Sequence, residues 1–183
     1  MRRMIFLIAA VVAAAATDFA AALDAPWRIG AQKAVIAIPH SLEVEHHAIH
    51  EALEAVTQVA GPVGAAAREL AAVLGPHFAR ENEIALPPLG LLAPLAAGEK
   101  PAGMEQGLAM SDTLRKEMPR MLREHAQIRA ATEKLRTVSR NEKASASERF
   151  AEELALHAQS EEEVLYPAAI LVGEIIRGRM KQR

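Results

Sequence analysis

The chain contains the same pattern twice. At an offset of 80 residues, His77, Glu81, Glu83 and Pro87 return as His157, Glu161, Glu163 and Pro167. At an offset of 79, Glu45, His46, Ile49, Ala52 and Glu54 return as Glu124, His125, Ile128, Ala131 and Glu133. His46 precedes His77 by 31 residues and His125 precedes His157 by 32, so the two copies agree in length to within one residue. One helical hairpin used twice accounts for this, each copy supplying a lone histidine and then a His-x3-Glu pair. Positions i and i+4 of a helix share a face, so each pair aims an imidazole and a carboxylate at one object. The pair alone discriminates little, because His47–Glu51 and His50–Glu54 have the same spacing. The duplication carries the weight.

Breakers and apolar stripes place these residues on four helices. The first is expected over about residues 42–60, with Ser41 as N-cap and Gly61-Pro62 as its stop, and with Leu42, His46, Ile49, Leu53 and Val56 on one face. The second spans about residues 63–86, with Leu70, Val73, Leu74, His77, Glu81 and Ile84 inward, and ends at Pro87-Pro88. Residues 87–110 show no clean period and read as an apolar strap across one end of a bundle. The third runs over about residues 111–138, capped by Ser111 and kinked at Pro119. Its stripe is Leu114, Met118, Leu122, His125, Ile128, Thr132 and Leu135. The fourth begins near Ser147, carries Phe150, Leu154, His157, Glu161 and Val164 inward, and bends at Pro167. Two short links and one longer one imply an all-α, antiparallel up-down-up-down four-helix bundle.

Composition agrees. Residues are 51 % apolar but only 3 % aromatic, which favours close-packed helices over sheets, and 183 residues suit one domain. A net charge of -2 without a basic stripe gives no reason to expect nucleic acid. The chain has no cysteine, which excludes thiolate metal sites and disulfides.

Residues 1–23 differ from the rest. Arg2 and Arg3 precede a 13-residue apolar run from Met4 to Ala16, followed by the small residues Ala20, Ala21 and Ala22. This is the pattern of a secretory signal, and it is shorter than a membrane span. It implies an exported or periplasmic protein. The alternatives are an uncleaved apolar anchor, in which case a membrane is a partner, and a cytoplasmic protein with its start placed too far upstream. Residues 24–38 read as a lead-in to the bundle and residues 178–183 as a basic tail.

The order His, His-x3-Glu, His, His-x3-Glu on four amphipathic helices resembles the hemerythrin-like, or HHE cation-binding, family over about residues 39–177. The phrases ALPPLGLL and EEEVLYPAAILVGE are similar to a bacterial subgroup of it. The resemblance implies a hemerythrin-like bundle whose metal ligands are His46, His77, Glu81, His125, His157 and Glu161. Two departures count against reversible oxygen transport. Oxygen-carrying members have His-x3-His where this chain has His125-x3-Arg129, and a differently spaced Asp where Glu161 stands.

Four imidazoles and two carboxylates exceed the four ligands of a structural zinc site and suit iron. The expectation is two iron ions with an oxo or hydroxo bridge, zinc or manganese being alternative occupants. His50, one turn beyond His46, is a further candidate ligand. His47 is assigned to solvent, His40 to a helix cap or solvent, Asn82 and Glu162 to the surroundings of the site or to solvent, and Tyr166, five residues past Glu161, to packing. Open coordination positions imply a binder or sensor of a small molecule such as O2, NO or peroxide. The alternative is a di-iron redox enzyme acting on peroxide or NO, or a protein that stores or donates iron. The sequence shows no further acid–base pair to favour a dedicated enzyme, and it names no protein partner.

Overall fold

The computed structural model describes residues 36–182; the signal expected in residues 1–23 lies outside them. Every regular element among the described residues is helical: α1 (His40–Thr57), α2 (Pro62–Ile84), a 3₁₀ turn (Pro87–Leu91), the short α3 (Leu92–Ala96), α4 (Met104–Asn141), α5 (Ser145–Ser160), a π-helical turn (Glu161–Leu165) and α6 (Tyr166–Lys181). α4 packs on α2, α5 and α6, and α1 on α2 and α5. No helix among the described residues is long and apolar enough to cross a membrane.

α1 starts earlier than the sequence suggests. Pro39, not Ser41, is its N-cap, and its carbonyl accepts from the Leu42 and Glu43 N–H groups at 2.9 and 3.1 Å. A proline is tolerated there because its missing N–H is not needed by the first turn. The helix ends at Thr57, and Gly61, at φ 77° and ψ -153°, turns the chain into α2 through a conformation that essentially only glycine adopts. The strap is ordered. Leu86, Leu89, Leu91 and Leu95 are all buried, and Leu91 and Leu95 join Ile36, Val172 and Ile176 in one apolar cluster. At the end of α6, Arg179 donates to the carbonyl oxygens of Leu95 and Glu99 at 2.7 and 2.6 Å.

The largest revision concerns α4. It begins at Met104 behind Gly103 and runs for 38 residues, so Ser111 lies inside it rather than capping it. The Ser111 hydroxyl is buried and donates to Ala169 O at 2.7 Å. Gly173 allows that approach, because a Cβ there would come within 2.5 Å of the Ser111 Cβ. The buried residues of α4 are Gly107, Ser111, Leu114, Met121, His125, Ile128, Thr132, Leu135 and Ser139. With the partly buried Met118, they alternate in steps of four and three, the seam of a coiled-coil-like packing. That alternation selects Met121, so Leu122, expected inward, is 41 % exposed.

Two buried clusters flank the site residues on every long helix. One contains Leu53, Val56, Leu70, Leu74, Phe78, Ile128, Leu135, Phe150 and Leu154; the other contains Ile84, Leu86, Leu114, Met121, Tyr166 and Ala169, with Leu42 packed against it. His46 lies between Leu42 and Leu53, His77 and Glu81 between Leu74 and Ile84, His125 between Met121 and Ile128, and His157 and Glu161 between Leu154 and Tyr166. The polar layer is therefore closed off by hydrocarbon on both sides.

Candidate metal centre

Six side chains of this layer are buried: His46, His77, Glu81, His125, His157 and Glu161. They form two overlapping groups. One is His77, Glu81, His125 and Glu161; the other is His46, His157 and Glu161. Glu161 belongs to both. Its Oε1 lies 2.8 Å from His157 Nε2 and 3.3 Å from His46 Nε2, and its Oε2 lies 3.4 Å from His125 Nε2. Glu81 Oε1 is 3.4 Å from His77 Nε2.

Carboxylates outside these groups orient three of the four imidazoles. His77 Nδ1 is 2.9 Å from Glu124 Oε2, His125 Nδ1 is 2.8 Å from Glu162 Oε1, and His157 Nδ1 is 3.1 Å from Glu45 Oε1. Each Nδ1–H donates outward, which leaves the Nε2 lone pair facing the centre, as in metal-bound histidines held by a carboxylate. Arg120 and Arg129 secure Glu124 and Glu162 in turn. Glu45 and Glu124 immediately precede His46 and His125, so the glutamate before each lone histidine of one hairpin orients the His-x3-Glu histidine of the other. The 79-residue repeat contained that signal, but the pairing crosses between helices and has no mark in the sequence.

Whether this set suits a cation follows from its unpaired atoms. His77 Nε2 and His125 Nε2 stand 2.8 Å apart. With both Nδ1 atoms donating outward, two lone pairs face one another, and only a cation or a shared proton relieves their repulsion. Glu81 Oε2 and His157 Nε2 are buried without a hydrogen-bond partner, Glu161 being too poorly aligned to serve His157 despite its proximity. Unsatisfied buried polar atoms of this kind are costly. Imidazole nitrogen and carboxylate oxygen suit iron, so the residues present fit a metal.

The electrostatics agree. Burial disfavours the charged form of Glu161, yet His125, His157 and His46 around it hold its carboxyl well below the usual range. Burial likewise opposes protonation of His157, but Glu161 and then Glu45 push it up to about 9. His77 is raised in the same way against its burial, by Glu81, Glu124 and Glu161.

Beyond Glu45 and Glu124, two more residues reach the site that the sequence does not assign to it, Tyr166 and Phe78. Tyr166 is fully buried, and its hydroxyl lies 2.5 Å from Glu81 Oε1, 2.9 Å from His125 Nε2 and 3.2 Å from His77 Nε2. In an α-helix, five steps of about 100° carry a residue about 140° off the starting face. Here the chain forms a π turn over Glu161–Leu165, and the Tyr166 N–H donates to the Glu161 carbonyl, five residues back. Position i+5 thereby returns to the core, and Val164, expected inward, is 59 % exposed. Pro167, whose ring would clash with the carbonyl four residues earlier, supplies a reason for the wider turn. Phe78 is the other residue: its ring stacks on His46 at 4.4 Å between centroids and 21° between planes.

His50 is partly buried and belongs to neither group. His47 is exposed and pairs with Glu51 at 3.2 Å, and His40 is exposed near Glu43. Asn82 is partly buried, while its counterpart Glu162 bonds His125.

A helical bundle with a buried layer of convergent imidazoles and carboxylates defines a cation-binding helical protein. The family described as hemerythrin HHE cation binding domain matches residues 37–169, and the chain belongs to that family. No curated protein and no solved structure matches it.

Proposed function

We propose that the centre holds two iron ions bridged by Glu161 and binds a small diatomic molecule, O2 or NO. The observation that carries this reading is the division of Glu161, one oxygen facing His46 and His157 and the other facing His125. His77, His125, Glu81 and Glu161 would hold one ion, and His46, His157 and Glu161 the other. Two histidines and one carboxylate form the donor set of non-haem iron sites that keep coordination positions open. Bound iron would supply those open positions and a change of oxidation state. The chain's own residues orient the imidazoles, through Glu45, Glu124 and Glu162, and exclude bulk water, through Phe78 on one side and Met121 and Tyr166 on the other.

An antiparallel up-down-up-down arrangement belongs to the same reading. It is supported by the order of the two apolar clusters, which is reversed on α2 and on the run from α5 into α6 relative to α1 and α4. Export of the chain is also proposed, on the pattern of residues 1–23; sequencing the mature N-terminus tests it, and an intact Met1 in the cytosolic fraction counts against it.

Anaerobic loading with ferrous iron, followed by metal counting and visible spectra with and without O2 or NO, tests the function. About two irons per chain and a stable adduct are expected from a donor set of this size. One retained zinc per chain contradicts the di-iron reading. Turnover without a persistent adduct contradicts the binding role in favour of an enzyme.

A further inference from the structure

One oxygen in the central layer belongs to neither a histidine nor a glutamate. The Tyr166 hydroxyl lies 2.5 Å from Glu81 Oε1, 2.9 Å from His125 Nε2 and 3.2 Å from His77 Nε2. All three partners belong to the group His77, Glu81, His125 and Glu161. Within that group His77 Nε2 is 2.8 Å from His125 Nε2 and 3.4 Å from Glu81 Oε1. Nitrogen and oxygen ligands about 2.1 Å from one metal stand about 3 Å apart when their bonds meet at right angles. The phenol oxygen keeps to both imidazole nitrogens the spacing that ligands of a single ion keep to one another.

Hydrogen bonding alone leaves this placement unexplained. A phenol has one proton, and Glu81 Oε1, the nearest acceptor, takes it. Lone pairs of the oxygen are then left facing His77 Nε2 and His125 Nε2, whose rings donate from Nδ1 to Glu124 and Glu162. Two nitrogens and an oxygen with no proton among them meet in a buried layer, and a cation relieves their repulsion. In the first hairpin the residue that corresponds to Tyr166 is Leu86. Its N–H donates to Glu81 O, five residues back, as the Tyr166 N–H does to Glu161 O, and it is equally buried. The same backbone turn therefore delivers hydrocarbon in one hairpin and an oxygen donor in the other.

We infer that Tyr166 is a metal ligand, its phenolate oxygen joining His77, His125 and Glu81 around one cation. This rests on the reading of the layer as a metal centre and is independent of how the two carboxylates divide between ions. Tyrosine ligates iron in the same way in catalase. The phenol proton is released to solvent as the bond to the metal forms. Tyr166 is the only tyrosine in the chain, so no second phenolate serves His46 and His157. Its negative charge stabilises a trivalent ion more than a divalent one, so iron in the His77 group should be harder to reduce than its neighbour.

With a single tyrosine, every phenolate signal reports on Tyr166. The protein is loaded anaerobically with ferrous iron, counted for metal and oxidised with ferricyanide. The ferric form is expected to show a phenolate-to-iron charge-transfer band in the visible, with phenolate ring modes in resonance Raman. Tyr166→Phe, which keeps the ring and removes one oxygen atom, should lose both. Loading the metal-free wild type with gallium, a trivalent ion without redox chemistry, should give the ultraviolet difference spectrum of one tyrosinate. Bound iron without a phenolate band overturns the inference, and so does a band that survives in Tyr166→Phe. A single iron per chain contradicts the two-iron reading and leaves the band to decide the role of Tyr166. If the chain takes up no iron, the gallium spectrum decides it, and the absence of tyrosinate there overturns it.

Discussion

His125 and His46 occupy matching places in the two hairpins and both turn Nε2 toward Glu161, but the rest of their surroundings differ. His125 Nδ1 is held by Glu162 at 2.8 Å, whereas His46 Nδ1 is buried with no partner. The residue that matches Glu162 in the first hairpin is Asn82. The His125 ring faces Tyr166 at 5.4 Å, and the His46 ring is covered by Phe78 at 4.4 Å; the matching residues are Leu86 and Ala158. Duplication therefore supplied two groups of potential metal ligands of one plan, and a few substitutions separated them. The His77/His125 position has the fuller set of donors and oriented imidazoles. The His46/His157 group has fewer donors and an apolar wall, and on the proposed function it is the one that would leave a coordination position open to a small molecule.

Removing an imidazole should produce the largest effect on this contrast. His77→Ala and His157→Ala are each expected to lose iron from their own position and retain part of the other, read as iron per chain after anaerobic loading. His47→Ala, an exposed control, should bind as the wild type does. Equal losses from all three would mean that helix faces have been misassigned.

Phe78→Ala comes next. It makes the wall of the His46 position resemble Ala158 opposite, and it should lower stability by about 3–5 kcal/mol in chemical denaturation, the usual cost of truncating a buried phenylalanine. Faster release of the small molecule should accompany that loss.

The pH dependence of the iron-free protein follows from His157. Its pKa is raised from 6.5 to about 9, so the stability it contributes is fully present below about pH 6.5 and is lost as pH rises through about 9. His77 is raised too and acts with the same sign. Glu161, held well below the usual range, stays ionised throughout this window and does not oppose the trend. The fall should be on the order of 3 kcal/mol at most. Iron affinity should rise over the same window, because metal and proton compete for the same nitrogen. Denaturation midpoints measured from pH 6 to 10, with and without iron, check both signs.

The smallest effect is a gain. Asn82→Glu gives His46 the partner that Glu162 gives His125, and it should tighten iron at the His46 position by about tenfold while leaving the other unchanged. No change in affinity would show that the orphaned nitrogen is unimportant to metal binding.

Much of this was legible in the sequence because repetition and helical period both survive in one dimension. The six buried donors, the strap and the four long helices could be placed from His46, His77, His125 and His157 and the stripes around them. What escaped depended on local departures from the α period or on contacts between helices. Counting steps of four places Leu122 and Val164 inward, whereas the seam of α4 selects Met121 and the π turn selects Tyr166. The start of α4 has no mark in the sequence, because Gly103 leads into it without a side-chain cap and Ser111, a good capping residue, serves α6 from within the helix. Glu45 and Glu124 recur in the sequence, but their partners lie on other helices.

One carboxylate, Glu161, belongs to both ligand groups, and the other, Glu81, to one. Anaerobic ferrous loading and metal counting on Glu81→Ala and Glu161→Ala test this division most directly. From the wild-type value of about two, the Glu81 variant should keep about one iron per chain, and the Glu161 variant close to none, since it removes a donor from both groups. Equal retention by the two variants, or a larger loss from Glu81→Ala, would contradict it.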